Sequence, residues 1–210
     1  MNDLNDDGRG TAEQRQQPPP VDARARLLEA AARLYARGGE SGATTRLISE
    51  EAGVNEVTLF RLFGTKTALL DEAVRRQAAE LEPIALPEHP SDPANELTAW
   101  CAAELARLGT ASNMFRMCFA EAPDKPDRLR DTSGAITAAA QSLRDYVSRL
   151  VAHGWTVSDR HREAATSMLL AALISDALGR DGLPGVHPPE SRAAEMYASA
   201  FLALLELRRA

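Results

Sequence analysis

Cysteine, aromatic residues and long apolar runs are all scarce in this chain of 210 residues. Two cysteines, Cys101 and Cys118, are too few for a disulfide framework, and inert buried thiols are expected rather than a redox pair. The four histidines, His89, His153, His161 and His187, are scattered and expected at the surface, and no Cys/His cluster has zinc-ligand spacing. Aromatic residues make up 5%, and no stretch alternates as a strand does. The longest unbroken apolar run, Met168 to Ile174, falls far short of the about 20 residues that cross a membrane. The polar, partly acidic start lacks the basic and apolar regions of a secretory signal, so a cytoplasmic protein with no membrane partner is expected. Nucleophile elbow, metal-ligand helix and glycine-rich phosphate loop are also missing. No enzyme activity, cofactor or metal is therefore expected.

What is present is alanine, leucine and charge arranged at helical spacing. The net charge is −6, but it is unevenly placed. Residues 20–80 carry nine basic and nine acidic side chains, so the excess negative charge lies elsewhere. A neutral head on an acidic body suits a protein that meets nucleic acid through one part only. Residues 1–20, with Pro18-Pro19-Pro20 and little that is apolar, read as a disordered arm. Leu27, Leu28, Ala31, Leu34 and Tyr35 then share one face of a helix from about Asp22, its N-cap, to Arg37, ended by Gly38-Gly39. Two short helices follow, near 45–51 and 55–62, and a fourth runs from Thr65 to about Leu81. Prolines 83, 87, 90 and 93 mark a loop between head and body. Helices near 94–109, 112–121, 126–153, 159–180 and 189–208 complete an all-α chain.

The informative segment is Thr44 to Lys66. Ile48 and Ala52 face inward from one short helix, and the small Ser49 permits close approach of the next. Gly53 supplies the positive φ of the turn. Val54 and Leu59 fill the gap, and Asn55 caps the next helix. That leaves Glu56, Val57, Thr58, Phe60 and Arg61 outward or partly outward, as in a helix that enters a major groove. The alternative for this segment is an ordinary three-helix packing unit.

Residues 24–70 resemble the DNA-binding head of the TetR (tetracycline repressor) family. The likeness rests on Arg24, Leu27-Leu28, Ala30-Ala31, Tyr35, Thr44-Thr45, Ile48, Ala52-Gly53-Val54, Thr58-Leu59-Phe60, Phe63, Lys66 and Leu69. Phe115 to Arg130, with Ala120-Glu121-Ala122 and Pro126-Asp127, resembles a segment of some members. The resemblance implies a TetR-like architecture: a helix-turn-helix DNA-binding domain over 21–66 and a helical effector-binding and dimerisation domain over 67–210. It further implies a transcriptional regulator, most often a repressor, that binds a palindromic double-stranded operator as a homodimer and is released by a small molecule. Thr45, Arg46, Asn55, Glu56, Val57, Thr58, Arg61 and Lys66 are the implied DNA-binding residues. Thr45 and Lys66 would hold phosphate, and Glu56, Val57 and Thr58 would meet base edges or nearby backbone. Phe60 stands where the family commonly has Tyr. It lacks the hydroxyl that would bond a phosphate, and so is left out. The alternative is a sensor or interaction protein on the TetR scaffold that does not bind specific DNA.

In the body, an apolar or amphipathic effector is expected among Trp100, Glu104, Phe115, Met117, Phe119, Trp155 and Met168. Ala165, Met168, Leu169 and Ala172 of the penultimate helix are expected at a dimer interface. Met196, Tyr197, Ala200, Phe201 and Leu204 of the last helix would join them in a four-helix bundle. The fourth helix is the one strong link legible between head and body.

Overall fold

The structure is a computed structural model; it describes the backbone of residues 20–209 and the side chains of 23–209. The arm expected over residues 1–20 lies outside the described residues but for Pro20, which opens the first helix. Ten helices order the described chain: α1 (Pro20–Gly42), α2 (Thr45–Ala52), α3 (Glu56–Phe63), α4 (Lys66–Ala79), α5 (Pro93–Thr110), α6 (Ser112–Glu121), α7 (Pro126–Thr132), α8 (Gly134–Ala152), α9 (Arg162–Gly179) and α10 (Ala193–Leu204). The fold is all-α. Asp22 lies inside α1 rather than capping it, because the helix begins at Pro20, whose fixed φ suits a first turn.

α1 is the spine of the head. Leu27, Leu28, Ala31 and Tyr35 are buried along one face, which packs against α2, α4 and also α6 of the body. The head's outer contacts are ionic: Arg33 Nε donates to Glu51 at 2.7 Å, and Arg24 donates to Glu72 at 2.6 Å while lying over the Phe63 ring. Helical dihedrals fail at Gly38 and Gly39, as the sequence predicts, and one further turn follows to Gly42.

The body differs from the sequence expectation at three places. The single helix expected over 126–153 is two helices, because the run Thr132-Ser133-Gly134 is weakly helical. The Ser133 hydroxyl, moreover, bonds back to the Arg130 carbonyl at 2.7 Å. The last helix stops at Leu204 instead of 208. Glu206 takes a φ of 50°, and Arg208–Arg209 (β2) pair antiparallel with Trp155–Thr156 (β1). Strands of two residues are too short to alternate visibly. Third, the expected starts near 159 and 189 are 3-10 turns, Asp159–His161 and Glu190–Arg192. The proline-rich segment between α4 and α5 is pinned to the body. Trp100 Nε1 donates to the Ile84 carbonyl at 3.0 Å, and Arg149 Nε to that of Pro87 at 3.0 Å.

Leu27, Leu69, Leu97, Phe115, Tyr146 and Phe201 belong to one continuous core spanning head and body. The α4 link is therefore not alone; α1 against α6 is a second joint, which the sequence reading missed. Gly39 sits in that joint with φ 62° and ψ −162°, and a Cβ there would stand 2.7 Å from the Glu121 carboxylate. Gly39→Ala is expected to cost about 1–3 kcal/mol in urea unfolding of the full chain. An unchanged midpoint and slope would show that the break is not fixed by this residue.

Candidate nucleic-acid interface

Each helix of the segment 44–66 starts on a side-chain cap. Thr44 Oγ1 accepts from the Leu47 N–H at 3.2 Å, Asn55 Oδ1 from Val57 at 2.8 Å, and Thr65 Oγ1 from Ala68 at 3.0 Å. The remaining N–H groups of these first turns favour an anion. Gly53 closes α2 in the left-handed region (φ 62°, ψ 39°) and returns the chain for α3. Ile48, Ser49, Ala52 and Leu59 are buried, and Val54 is half-buried. This packing leaves Val57, Phe60 and Arg61 exposed together at spacings of three and four on α3, with Val57 72% exposed. Glu56 and Thr58 border that face and are half-buried, as is Thr45 at the start of α2. Arg46 is exposed but engaged: its Nε donates to Glu50 at 2.8 Å, and this bond holds its pKa above the ordinary arginine value. Asn55 spends its side-chain oxygen on the cap.

Lys66 opens α4 and is half-buried. Its Nζ donates to the Glu40 carbonyl at 2.8 Å, which leaves ammonium protons for a phosphate. Glu40 belongs to the joint. Its N–H donates to Glu121 Oε1 at 2.7 Å; its carboxylate accepts from Lys125 at 2.8 Å and from Arg128 at 3.0 Å. Arg128, 3% exposed, also donates to Asp71 at 2.8 Å and to Glu121 at 2.7 Å. Its guanidinium lies over the Tyr35 ring, and the Tyr35 hydroxyl donates to Glu121 at 2.8 Å. None of Glu40, Asp71, Lys125 or Arg128 stands out in the sequence. Glu121, Lys125 and Arg128 fall in the stretch Phe115 to Arg130, noted there only for its resemblance.

The residues expected to hold an effector are divided between core and surface. Trp100, Glu104 and Phe115 are buried, Met117 and Trp155 are half-buried, and Phe119 and Met168 are exposed on the surface. Glu104 forms a buried ion pair with Arg107. A cleft of about 410 Å³ lies elsewhere, between α5, α9 and α10. Its walls are Ala102, Leu105, Ala106, Ala177, Ala193 and Ala194, and Asp176, Arg180, Asp181 and Glu190 supply its polar groups. Cys101 and Cys118 are both buried free thiols, and burial, aided by Glu104, pushes the Cys101 pKa up to about 12. Of the expected interface residues, Ala165, Leu169 and Phe201 point into the chain's own core. Ala172, Tyr197 and Leu204 are half-buried; Met168, Met196 and Ala200 are exposed.

A capped helix held by its neighbour through a left-handed glycine, with its outer face open, defines a helix-turn-helix, the reading head of DNA-binding regulators. Residues 27–73 match the family model described as bacterial regulatory proteins, tetR family. No curated protein matches the chain. Among solved structures it is similar to a TetR transcriptional regulator from Agrobacterium tumefaciens, with 23% identity, 87% of this chain and 93% of that one covered, and a TM-score of 0.69. A protein of Mesorhizobium loti assigned to the same family gives 18% identity, 90% and 98% coverage, and a TM-score of 0.67. A tetR-family transcriptional regulator from Streptomyces coelicolor gives 18%, 88% and 80%, and 0.66. The whole described chain thus has the fold of TetR-type transcriptional regulators, and no helix of it is long and apolar enough to cross a membrane.

The joint makes a test of its own. Burial alone would raise the Glu40 carboxyl, but hydrogen bonds from Lys125 and Arg128 outweigh it and hold it below its ordinary value of 4.5. A lowered carboxyl stabilises the fold above its ordinary value, and that contribution is lost as pH falls through the lowered one. Glu40→Gln should therefore cost on the order of 1–3 kcal/mol at neutral pH and progressively less as the pH falls below 4.5. Urea unfolding of both proteins across that range checks this. An equal deficit at all pH values would mean that the carboxylate charge is not what Lys125 and Arg128 hold.

Proposed function

We propose that the protein is a one-component transcriptional repressor that binds a palindromic DNA operator as a homodimer and is released by a small molecule. The observation that carries this reading is the α3 face. Leu59 is anchored in the core, and Val57, Phe60 and Arg61 are left to solvent beside the capped starts of α2 and α4. Val57 suits a thymine methyl, Arg61 a guanine edge or phosphate, and Glu56 a cytosine amine. Thr45, Arg46, Asn55 and Thr58 border the same surface, and Lys66 adds charge at the start of α4. The DNA-binding domain is taken as 21–66 and the effector-binding and dimerisation domain as 67–210. A cytoplasmic location accords with a DNA partner.

The experiment is duplex binding by fluorescence anisotropy over a range of salt, beginning with DNA flanking the chain's own gene. Lys66→Ala should weaken specific and nonspecific binding alike and lower the slope of log affinity against log salt by about one unit. A wild-type chain that binds no duplex sinks the reading. An unchanged slope in Lys66→Ala takes Lys66 off the DNA.

For the effector, the cleft between α5, α9 and α10 is the better-supported site. Its volume falls in the range of small-molecule pockets, and alanine walls beside Asp181 and Glu190 suit an amphipathic compound. For the dimer, the proposed surface comprises Ala164, Ser167, Met168, Ala171 and Ser175 of α9 with Met196, Ser199, Ala200 and Ala203 of α10. These residues are exposed and none is charged. Small residues admit a close partner helix, and a two-fold pair would match two half-sites. Phe201 is buried within the protomer, so a charge there would damage the fold itself. Ala171→Glu should instead give folded monomers with reduced operator affinity, since one half-site no longer enforces the other. Light scattering that still reports a dimer for folded Ala171→Glu would remove this strip of α9 from the interface.

A further inference from the structure

We propose that Arg128 and Glu121, both in the body, are positioning residues for the DNA contact of Lys66. The proposal rests on the DNA-binding reading above. Glu40 is held from both sides of its own backbone: its N–H by Glu121 at 2.7 Å, and its C=O by the Lys66 ammonium at 2.8 Å. Its carboxylate is held by Arg128 and Lys125, and it also accepts from Thr67 of the first turn of α4 at 3.4 Å. The chain reaches Glu40 through Gly38 and Gly39, whose dihedrals no helix imposes. The carbonyl that places Lys66 is thus set by side chains of α6 and the region of α7, not by the head alone.

Arg128 is suited to this because a guanidinium can bind three carboxylates in one plane, here Asp71 of α4, Glu40 of α1 and Glu121 of α6. Removing it leaves Glu121 with no cation and Glu40 with Lys125 alone, two acids facing each other around the Glu40 peptide. Glu121 can no longer be held on the Glu40 N–H, and the carbonyl that orients Lys66 is released with it. DNA affinity then falls through Lys66, although Arg128 is buried and touches no nucleic acid.

The test is a double-mutant cycle on the full chain with Arg128→Met and Lys66→Ala, read by anisotropy over a range of salt, with circular dichroism and thermal unfolding on each variant. Arg128→Met should lose about the same factor in affinity as Lys66→Ala, and its salt slope should also fall by about one unit. The double variant should be within about twofold of either single one, because both act on one contact. A wild-type salt slope in Arg128→Met, or losses that multiply in the double variant, would overturn the proposal while leaving the DNA-binding reading intact. Absence of wild-type binding to any duplex overturns that reading and this proposal with it. If Arg128→Met does not fold, Glu121→Gln carries the same cycle. Gln keeps an acceptor for the Glu40 N–H but puts an amide against Arg128. The same loss and slope support the proposal, and a wild-type slope overturns it.

Discussion

The buried guanidinium of Arg128 is the constraint to which head and body are fitted. A charge that is 3% exposed is costly to desolvate, and it persists only where its partners are complete. Burial works against its charged form, but the hydrogen bonds it donates to Asp71, Tyr35 and Glu40 more than offset this, and its pKa lies above the ordinary arginine value. Three carboxylates from three helices must therefore arrive at one point. That requirement sets α1, α4 and α6 against one another. An apolar contact of the same size would hold the joint together but would tolerate sliding. The ionic one specifies a register, which is what the proposed DNA-reading head would need from the body that carries it.

The reading surface is defined by what the core does not claim. α3 gives Leu59 wholly to the interior, and Gly53 aims the helix so that Val57 and Phe60 cannot follow. An eight-residue helix holding two large exposed apolar side chains would be a poor bargain in a protein that only had to fold. The same surface carries no large positive field, since Arg46 is bound to Glu50 and Arg24 and Arg33 tie α1 to α4 and α2. On the proposed reading, affinity for DNA would have to come from a few placed contacts, such as helix N-termini and Lys66, with placement mattering more than charge.

What was legible in the sequence was local. The glycine turn, the Asn55 cap and the spacing of Ile48, Ala52 and Leu59 each depend on a few neighbouring residues, and the structure has them where the pattern puts them. Two kinds of feature escaped. α9 and α10 are apolar or small over most of their girth, so period alone could not say that Phe201 and Leu169 face inward while Met168 and Ala171 face out. Asp71 and Glu40 lie 57 and 88 positions from Arg128, and no spacing rule reaches so far. The residues expected around an effector are split between core and surface for a related reason. Large aromatics tend to fill cores, and the cleft between α5, α9 and α10 is walled largely by alanines because small side chains leave the space.

The cleft and the joint are not separate parts of the body. Arg116 of α6 donates its Nε to the Leu178 carbonyl at 2.6 Å, at the end of α9 whose Asp176, Ala177 and Arg180 line the cleft. Five residues on, the same helix presents Glu121 to Glu40 and Arg128. α6 has ten residues and is tied by hydrogen bonds to α9 at one point and to α1 at its end. A helix is stiff along its axis, so a molecule that displaced the end of α9 would have to break the Arg116 bond or carry α6 with it. In the second case the shift arrives at a cluster that cannot yield gradually, because a buried guanidinium and its carboxylates are either matched or uncompensated. A small displacement at the cleft would then be converted at the joint into a choice between two states. A switch needs that property, and a uniformly apolar contact would not supply it.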